Sequence, residues 1–317
     1  MEKHNSKRTE ISNKIHCKLS SFGFATFCDY AICSRFDGSA HGTQPNIDIN
    51  CLKALKHGDK LFFNAYSSSH INDQICDFLC NFFTQQNIKI NIYIMFEPVL
   101  PWKFVEKLLS VCENIFLMNN EYEHPNVHHM PIGIRDGEEV LPMHRNFSQK
   151  SLVFEKSITR EKKYLCLLCF SKETHKERIK CENSLSNKSF VLNLNNELFE
   201  SNQNKLCGVV PLTINYEKTH ESFYILAPRG AGIDTHRFYE AIYLDAIPIV
   251  KRTHTPFDKL YNIFPCLVVE DWNDVTEEFL LNKKEEMMHK LETFKESYPN
   301  WMTDLDSIQK ILKEKQK

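Results

Sequence analysis

The chain has no long apolar run. Its longest, such as Tyr164 to Phe170, falls far short of the ~20 residues that a membrane-spanning helix needs. The opening residues, MEKHNSKRTEISNK, are polar and lack the apolar region of a secretory signal. The expected location is therefore the cytoplasm, or the host cytoplasm if the source is viral. An excess of either charge is also missing: 39 basic and 41 acidic residues leave a formal net charge of −2. That balance implies no field of the kind that draws nucleic acid. One C-x-x-C, Cys166 with Cys169, has no second copy to complete a zinc site, and a strand would put its two thiols on opposite faces. With no secretory signal, the twelve cysteines, most of them inside apolar runs, read as buried reduced thiols. The dinucleotide fingerprint with its third glycine is absent. So is a D-x-D at a strand end: Asp304-Leu305-Asp306 lies in a charged helical tail. No metal and no cofactor are expected.

What the chain does have is alternation. Its 317 residues, 42% hydrophobic and 25% charged, are enough for two globular domains. Residues 24–32, 60–66 and 90–96 read as strands, and 72–85 and 102–114 have helical spacing. Residues 1–20 read as a loosely packed lead, and 1–140 as an N-terminal α/β domain. Residues 141–163, charged and weakly periodic, read as a linker. Alternation resumes over 164–285 as a second α/β domain, and 286–317 reads as a helical tail, broken at Pro299, that could pack back on the first domain. The tail's charged blocks read as solvated helix faces. Two such domains imply a cleft, with ligands at the carboxyl ends of the strands.

The most informative stretch is 223–269, which reads as strand, loop, helix, strand. Its loop carries Arg229, Gly230, Gly232 and Asp234; the helix opens with Thr235, His236 and Arg237 and carries Glu240 one turn in. Glycine permits close backbone approach, and a helix start presents unpaired N–H groups and a positive dipole end. Together these hold phosphate, and arginine adds a bidentate clamp. His236, Arg237 and Glu240 share one helix face, and a carboxylate there can hold a sugar hydroxyl. The bland alternative is an ordinary strand–turn–helix with Asp234 as its cap. A second basic loop, with Ser171, Lys172, Thr174 and Arg178, follows the first strand of the second domain and suits a diphosphate from the opposite side; its bland alternative is helix capping by Ser171. A third element, Pro131 to Asp136, ends the first domain and would bring Arg135 and Asp136 to the cleft.

PRGAGIDTHRFYEAIYLDAIPIVKR, with the later DWNDVT, resembles the signature of exostosin-like glycosyltransferases and their bacterial, algal and large-virus relatives. The likeness extends to Phe170, Ser171, Thr174 and Arg178 and to Pro131 to Gly133. It is dense over 164–277, whereas over 1–130 only the strand–helix pattern matches. Asp245-Ala246 departs from it where relatives often carry glycine or cysteine. The resemblance implies a GT-B-like α/β architecture, two Rossmann-like domains facing across a cleft. It implies transfer of a sugar from a nucleotide sugar, a UDP-sugar by preference, to a hydroxyl of a glycan or glycoprotein acceptor, without a bound metal. Arg229 and Arg237 would then hold the diphosphate, supported by Ser171, Lys172 and Arg178, and Glu240 the ribose. An inverting transfer needs a general base from the N-terminal domain. Glu97, at the end of an apolar strand, is preferred, followed by Asp37 and Asp136. A non-catalytic nucleotide- or glycan-binding protein of the same fold is the main alternative. A sugar-nucleotide epimerase is a third reading, disfavoured by the missing fingerprint.

Overall fold

The computed structural model describes residues 16–33, 47–65, 71–95, 99–136, 148–196 and 210–315. They form two five-stranded parallel sheets with flanking helices. The first sheet contains β1 (Tyr30–Cys33), β2 (Lys60–Asn64), β3 (Ile90–Met95), β4 (Cys112–Leu117) and β5 (Val127–His129), side by side in chain order. Right-handed crossovers that all step the same way put their helices on one face. There α2 (Ile49–Lys53), α3 (Asp73–Gln86) and α4 (Trp102–Leu109) cover Leu61, Phe63, Ile92, Ile94, Ile115 and Leu117.

The opposite face presents an in-register row of Phe62, Tyr93 and Phe116. The Tyr93 and Phe116 rings stack with centroids 4.4 Å apart. Among the described residues no crossover helix reaches this side. It is covered by α1 (Ser21–Phe27) and, from the far end of the chain, by α11 (Leu305–Lys315), whose Gln309 bonds the Tyr93 hydroxyl. Residues 24–32, expected as one strand, are therefore the end of a helix followed by a short strand. Ser20 caps that helix by accepting from Gly23 N–H at 3.1 Å, the usual serine start signal. Residues 17–20, expected to be loose, are buried apart from partly exposed Lys18; Lys18 N–H and Leu19 N–H both bond Met302 O.

The second sheet contains β6 (Tyr164–Leu168), β7 (Val191–Asn193), β8 (Ser222–Leu226), β9 (Ile247–Lys251) and β10 (Leu267–Val269), in the order β10-β9-β8-β6-β7. The chain starts at β6, steps out to β7 and returns to the other side for β8. That reversal opens a crevice at the carboxyl ends of β6 and β8, where open α/β sheets bind ligands. Around it lie α6 (Lys176–Leu185), α7 (Leu212–His220), α8 (His236–Tyr243), α9 (Asp258–Ile263) and α10 (Glu277–Ser297). Within the expected linker, α5 (Ser148–Ser157) packs on α7. The result is a GT-B-like fold: two Rossmann-like domains facing across a cleft.

The departure at Asp245 has a structural explanation. Its φ of +61° is the left-handed turn between α8 and β9, which glycine would enter without strain. The carboxylate pairs with Lys156 of α5, Lys295 of α10 and, at 3.6 Å, His220 of α7. Burial works against its ionisation, but His220 and the two lysines hold it well below the usual range. One side chain thus ties three helices together. The ten cysteines whose side chains are described are all free thiols. Among the described residues no helix is long and apolar enough to cross a membrane.

Candidate functional site

A cavity of about 380 Å³ lies at the sheet reversal. Its floor is the loops that follow β6 and β8 and the start of α8. Ile132 and Arg135 of the first domain form part of the facing wall. Ser171, Thr174, Arg178, Gly230, Gly232, Asp234, His236, Arg237 and Glu240 all line it, so two loops about 60 residues apart in sequence converge on one space.

Arg178 joins the loops. Its Nε donates to Arg229 O at 3.1 Å and its Nη1 to Ser171 O at 2.9 Å. Gly230 makes room for it, since a Cβ there would lie 2.9 Å from Arg178 Nη2. Two other guanidinium nitrogens, Arg229 Nε and Arg237 Nη1, are buried with no hydrogen-bond partner among the described residues. Buried donors are nearly always paired; Arg237 lines the cavity, so its Nη1 is available to an acceptor there, whereas Arg229 does not line it. Glu240 is buried, and its Oε1 accepts from the Tyr216 hydroxyl at 3.1 Å. Asn215 Oδ1, on the same wall, is likewise buried without a partner. Lys172 stands apart: it is exposed, 3.7 Å from Glu182, and does not line the cavity. Ser171 makes no capping bond; His175 caps α6 by accepting from Glu177 N–H. Burial and the neighbouring Arg229 cation push the His175 imidazole down.

Asp234 and His236 connect the glycine loop to the first domain. Asp234 Oδ2 accepts from Ile132 N–H and from the Tyr239 hydroxyl, each at 2.8 Å, and Oδ1 accepts from Thr235 N–H at 2.9 Å. Burial raises its carboxyl to about 7 against those donors. His236 Nδ1 lies 2.9 Å from Gly133 O, so Nδ1 carries the proton of that bond. Asn119, at φ +56°, accepts from Asp234 N–H at 2.8 Å. A Cβ on Gly232 would meet the Asn119 amide at 2.6 Å. Nothing in the sequence around Asn119, Asn215 or Tyr216 distinguishes them from ordinary turn and helix residues; only folding brings them here.

This contact gives a test of the seam. Gly232→Ala is expected to cost about 1–3 kcal/mol through overpacking. Asn119→Gly, which keeps the left-handed backbone and removes the amide, is expected to recover much of that loss in the double variant. Denaturant unfolding of the two single variants and the double variant reads the coupling. Strict additivity would show that the two residues do not touch.

Of the three carboxylates expected on the acceptor side, Glu97 and Asp37 lie outside the described residues. Asp136 is buried beneath the start of α1, and both its oxygens lie 3.3 Å from Phe22 N–H. It thus serves the helix terminus. Burial raises it to about 6, against bonds from Ser20 and Phe22. An unfolded aspartate titrates near ~3.9, so the folded chain binds this proton more tightly. The resulting stabilisation is full below the unfolded value and is lost as pH rises through the folded value. Asp136→Asn escapes that loss. Its thermal midpoint relative to the native chain should therefore improve from about pH 4 to pH 7. A pH-independent offset would remove burial as the cause.

No family model matches the sequence, and no curated protein matches it. Solved structures overlay weakly. One described as "OtsA apo structure" gives a TM-score of 0.37 at 11% identity, over 80% of this chain and 74% of that one. A putative UDP-N-acetylglucosamine 2-epimerase from Listeria monocytogenes gives 0.35 at 9%, over 73% and 67%. The UDP-GlcNAc 2-epimerase from Methanocaldococcus jannaschii gives 0.31 at 12%, over 72% and 70%. Overlays this weak carry no argument about chemistry. The fold rests on the sheet order, and the site on its own geometry.

Proposed function

We propose that this chain transfers a sugar from a nucleotide-sugar donor, a UDP-sugar by preference, to a hydroxyl of a glycan or glycoprotein acceptor. The observation that carries the reading is the guanidinium Nη1 of Arg237, buried without a partner among the described residues in the cavity at the sheet reversal that buried Glu240 also lines. The two arginines and the start of α8 would take the diphosphate, with Ser171, Thr174 and Arg178 shaping the opposite side and Lys172 adding charge from outside. Glu240, oriented by Tyr216, would accept from the ribose hydroxyls. Gly230 and Gly232 let the backbone come close, while Asp234 and His236 hold the loop. The reading as an exostosin-like relative rests on the PRGAGIDTHRFYEA and DWNDVT elements.

In the transfer, the acceptor oxygen attacks the anomeric carbon and the bond to the diphosphate oxygen breaks. The nucleoside diphosphate leaves with the electron pair, and the arginines and helix dipole stabilise its charge without needing a metal. If the outcome is inversion, the acceptor proton passes to a carboxylate of the N-terminal domain. Glu97 is preferred for this, then Asp37; Asp136 is third because it is already engaged with α1. A thermal-shift panel of UDP, GDP and their sugars tests the reading, since a ligand that binds only the folded state raises its midpoint. A shift with UDP and UDP-sugars, and release of UDP on adding acceptor glycans, is expected. No shift with any nucleotide would overturn the proposal. Binding with no transfer across a broad acceptor set would leave a binding protein.

A further inference from the structure

The diphosphate grip proposed for Arg237 leaves unexplained the wall that α7 adds to the same cavity. Val210, Leu212 and Asn215 line the cavity there, with Cys169 just past the end of β6. Val210 packs on the small apolar cluster that holds Cys169 and Leu194, so part of this wall is apolar. The first rung of α7 runs from Asn215 N–H to Pro211 O at 3.0 Å. The N–H groups of 212–214 precede that rung and have no acceptor inside the helix, and Pro211 at the cap position offers none from its side chain. Two asparagines line the cavity, and they differ. Asn195 is engaged at both ends: its Oδ1 accepts from Phe170 N–H at 3.1 Å and its Nδ2 donates to Glu182 Oε1 at 3.0 Å. Asn215 is only 7% exposed, yet its Oδ1 is buried with no hydrogen-bond partner among the described residues.

These features select among ligand groups. A buried acceptor calls for a donor, and the start of α7 calls for an acceptor. A second anionic group meets only the helix start, and buried Glu240 in the same cavity repels it. A purely apolar group leaves the Asn215 amide unpaired. A planar heterocycle that carries one N–H between two carbonyl oxygens answers every feature. Its N–H donates to Asn215 Oδ1, its carbonyls accept from Asn215 Nδ2 and from the helix start, and its ring lies against the apolar residues. Uracil has this edge. Cytosine, of the same size, has a bare ring nitrogen in place of the N–H and would set an acceptor against Asn215 Oδ1. We propose that Asn215 selects the base of the bound nucleotide, uracil over cytosine. The inference rests on the nucleotide-sugar reading above and gives its preference for UDP a residue.

Titration calorimetry of the full chain with UDP, CDP, GDP and 2′-deoxy-UDP tests it, on the native protein and on Asn215→Ala and Asn215→Leu. The native chain is expected to bind UDP about tenfold or more tighter than CDP, since a site built to receive a donor rejects the analogue that lacks it. Both variants should lose roughly tenfold for UDP and change CDP by less than about twofold, so the ratio collapses. Arg237→Ala should weaken UDP and CDP alike and keep the ratio. Because the ratio is read within one protein, a general loss of fold cannot mimic its collapse, and the ligand-free thermal midpoint checks each variant. The proposal is overturned if CDP or GDP binds native chain as tightly as UDP, or if both variants keep the native ratio. It is also overturned if the variants' loss disappears with 2′-deoxy-UDP, which would place the amide on the ribose. Equal binding of all four nucleotides would remove the base selection and leave the donor reading standing; binding of none would remove both.

Discussion

Arg237→Ala is expected to abolish the UDP-induced thermal shift and to weaken UDP roughly ten- to hundredfold, the loss of one or two charge-assisted hydrogen bonds. The ligand-free protein should not suffer with it. Arg237 Nη1 is buried without a partner among the described residues, and an unpaired buried donor costs stability instead of adding to it. The variant's midpoint without ligand should therefore match or exceed the native one. This split is specific: a merely structural arginine would lose midpoint and ligand response together. Arg178→Ala provides the contrast. Arg178 holds Ser171 O and Arg229 O, so its loss should lower both. Calorimetric titration with UDP beside a thermal scan in buffer decides between the cases. Native UDP affinity in Arg237→Ala would remove that residue from the site.

Truncation after Asp304 is expected to prevent the N-terminal domain from folding. It removes α11, whose Leu305, Ile308, Ile311 and Leu312 are all buried, and uncovers the row of Phe62, Tyr93 and Phe116. At roughly 1.5–3 kcal/mol per buried aliphatic side chain, that loss rivals the whole 5–15 kcal/mol that holds a typical domain. Ile308→Ala, a smaller insult at a fully buried position, should cost about 2–5 kcal/mol. Loss of near-ultraviolet dichroism and of hydrogen-exchange protection in β2–β4 would report the failure. A truncated chain that unfolds cooperatively at the native midpoint would show that α11 is dispensable.

These two predictions differ in how far the sequence could foresee them. The arginine sits in a motif whose parts lie within about a dozen residues. Glycine spacing, helix start and the 3.6-residue face that unites His236, Arg237 and Glu240 are local properties, legible in the string. The same is true of the strand–helix alternation that implies parallel sheets. The failures were also local: residues 24–32 are aromatic enough to read as strand. Yet Ser20 and the distant Asp136 together hold the N-terminus of a helix there, and that second partner lies 114 residues away.

The sequence by itself determined the α/β class, the reduced state expected of its thiols and the loop–helix that carries the basic residues. Periodicity and capping act over one or two turns of chain, so they can be read without the fold. Tertiary structure decided which loops share a cavity, because only the outward-and-return order of β6, β7 and β8 opens a crevice between two segments about 60 residues apart. It decided that Gly232 must be bare where Asn119 arrives, that Asp234 bonds the first domain, and that the last helix completes the first sheet. Such contacts depend on where right-handed crossovers carry the chain, a property of the assembled sheet that no short stretch of residues contains.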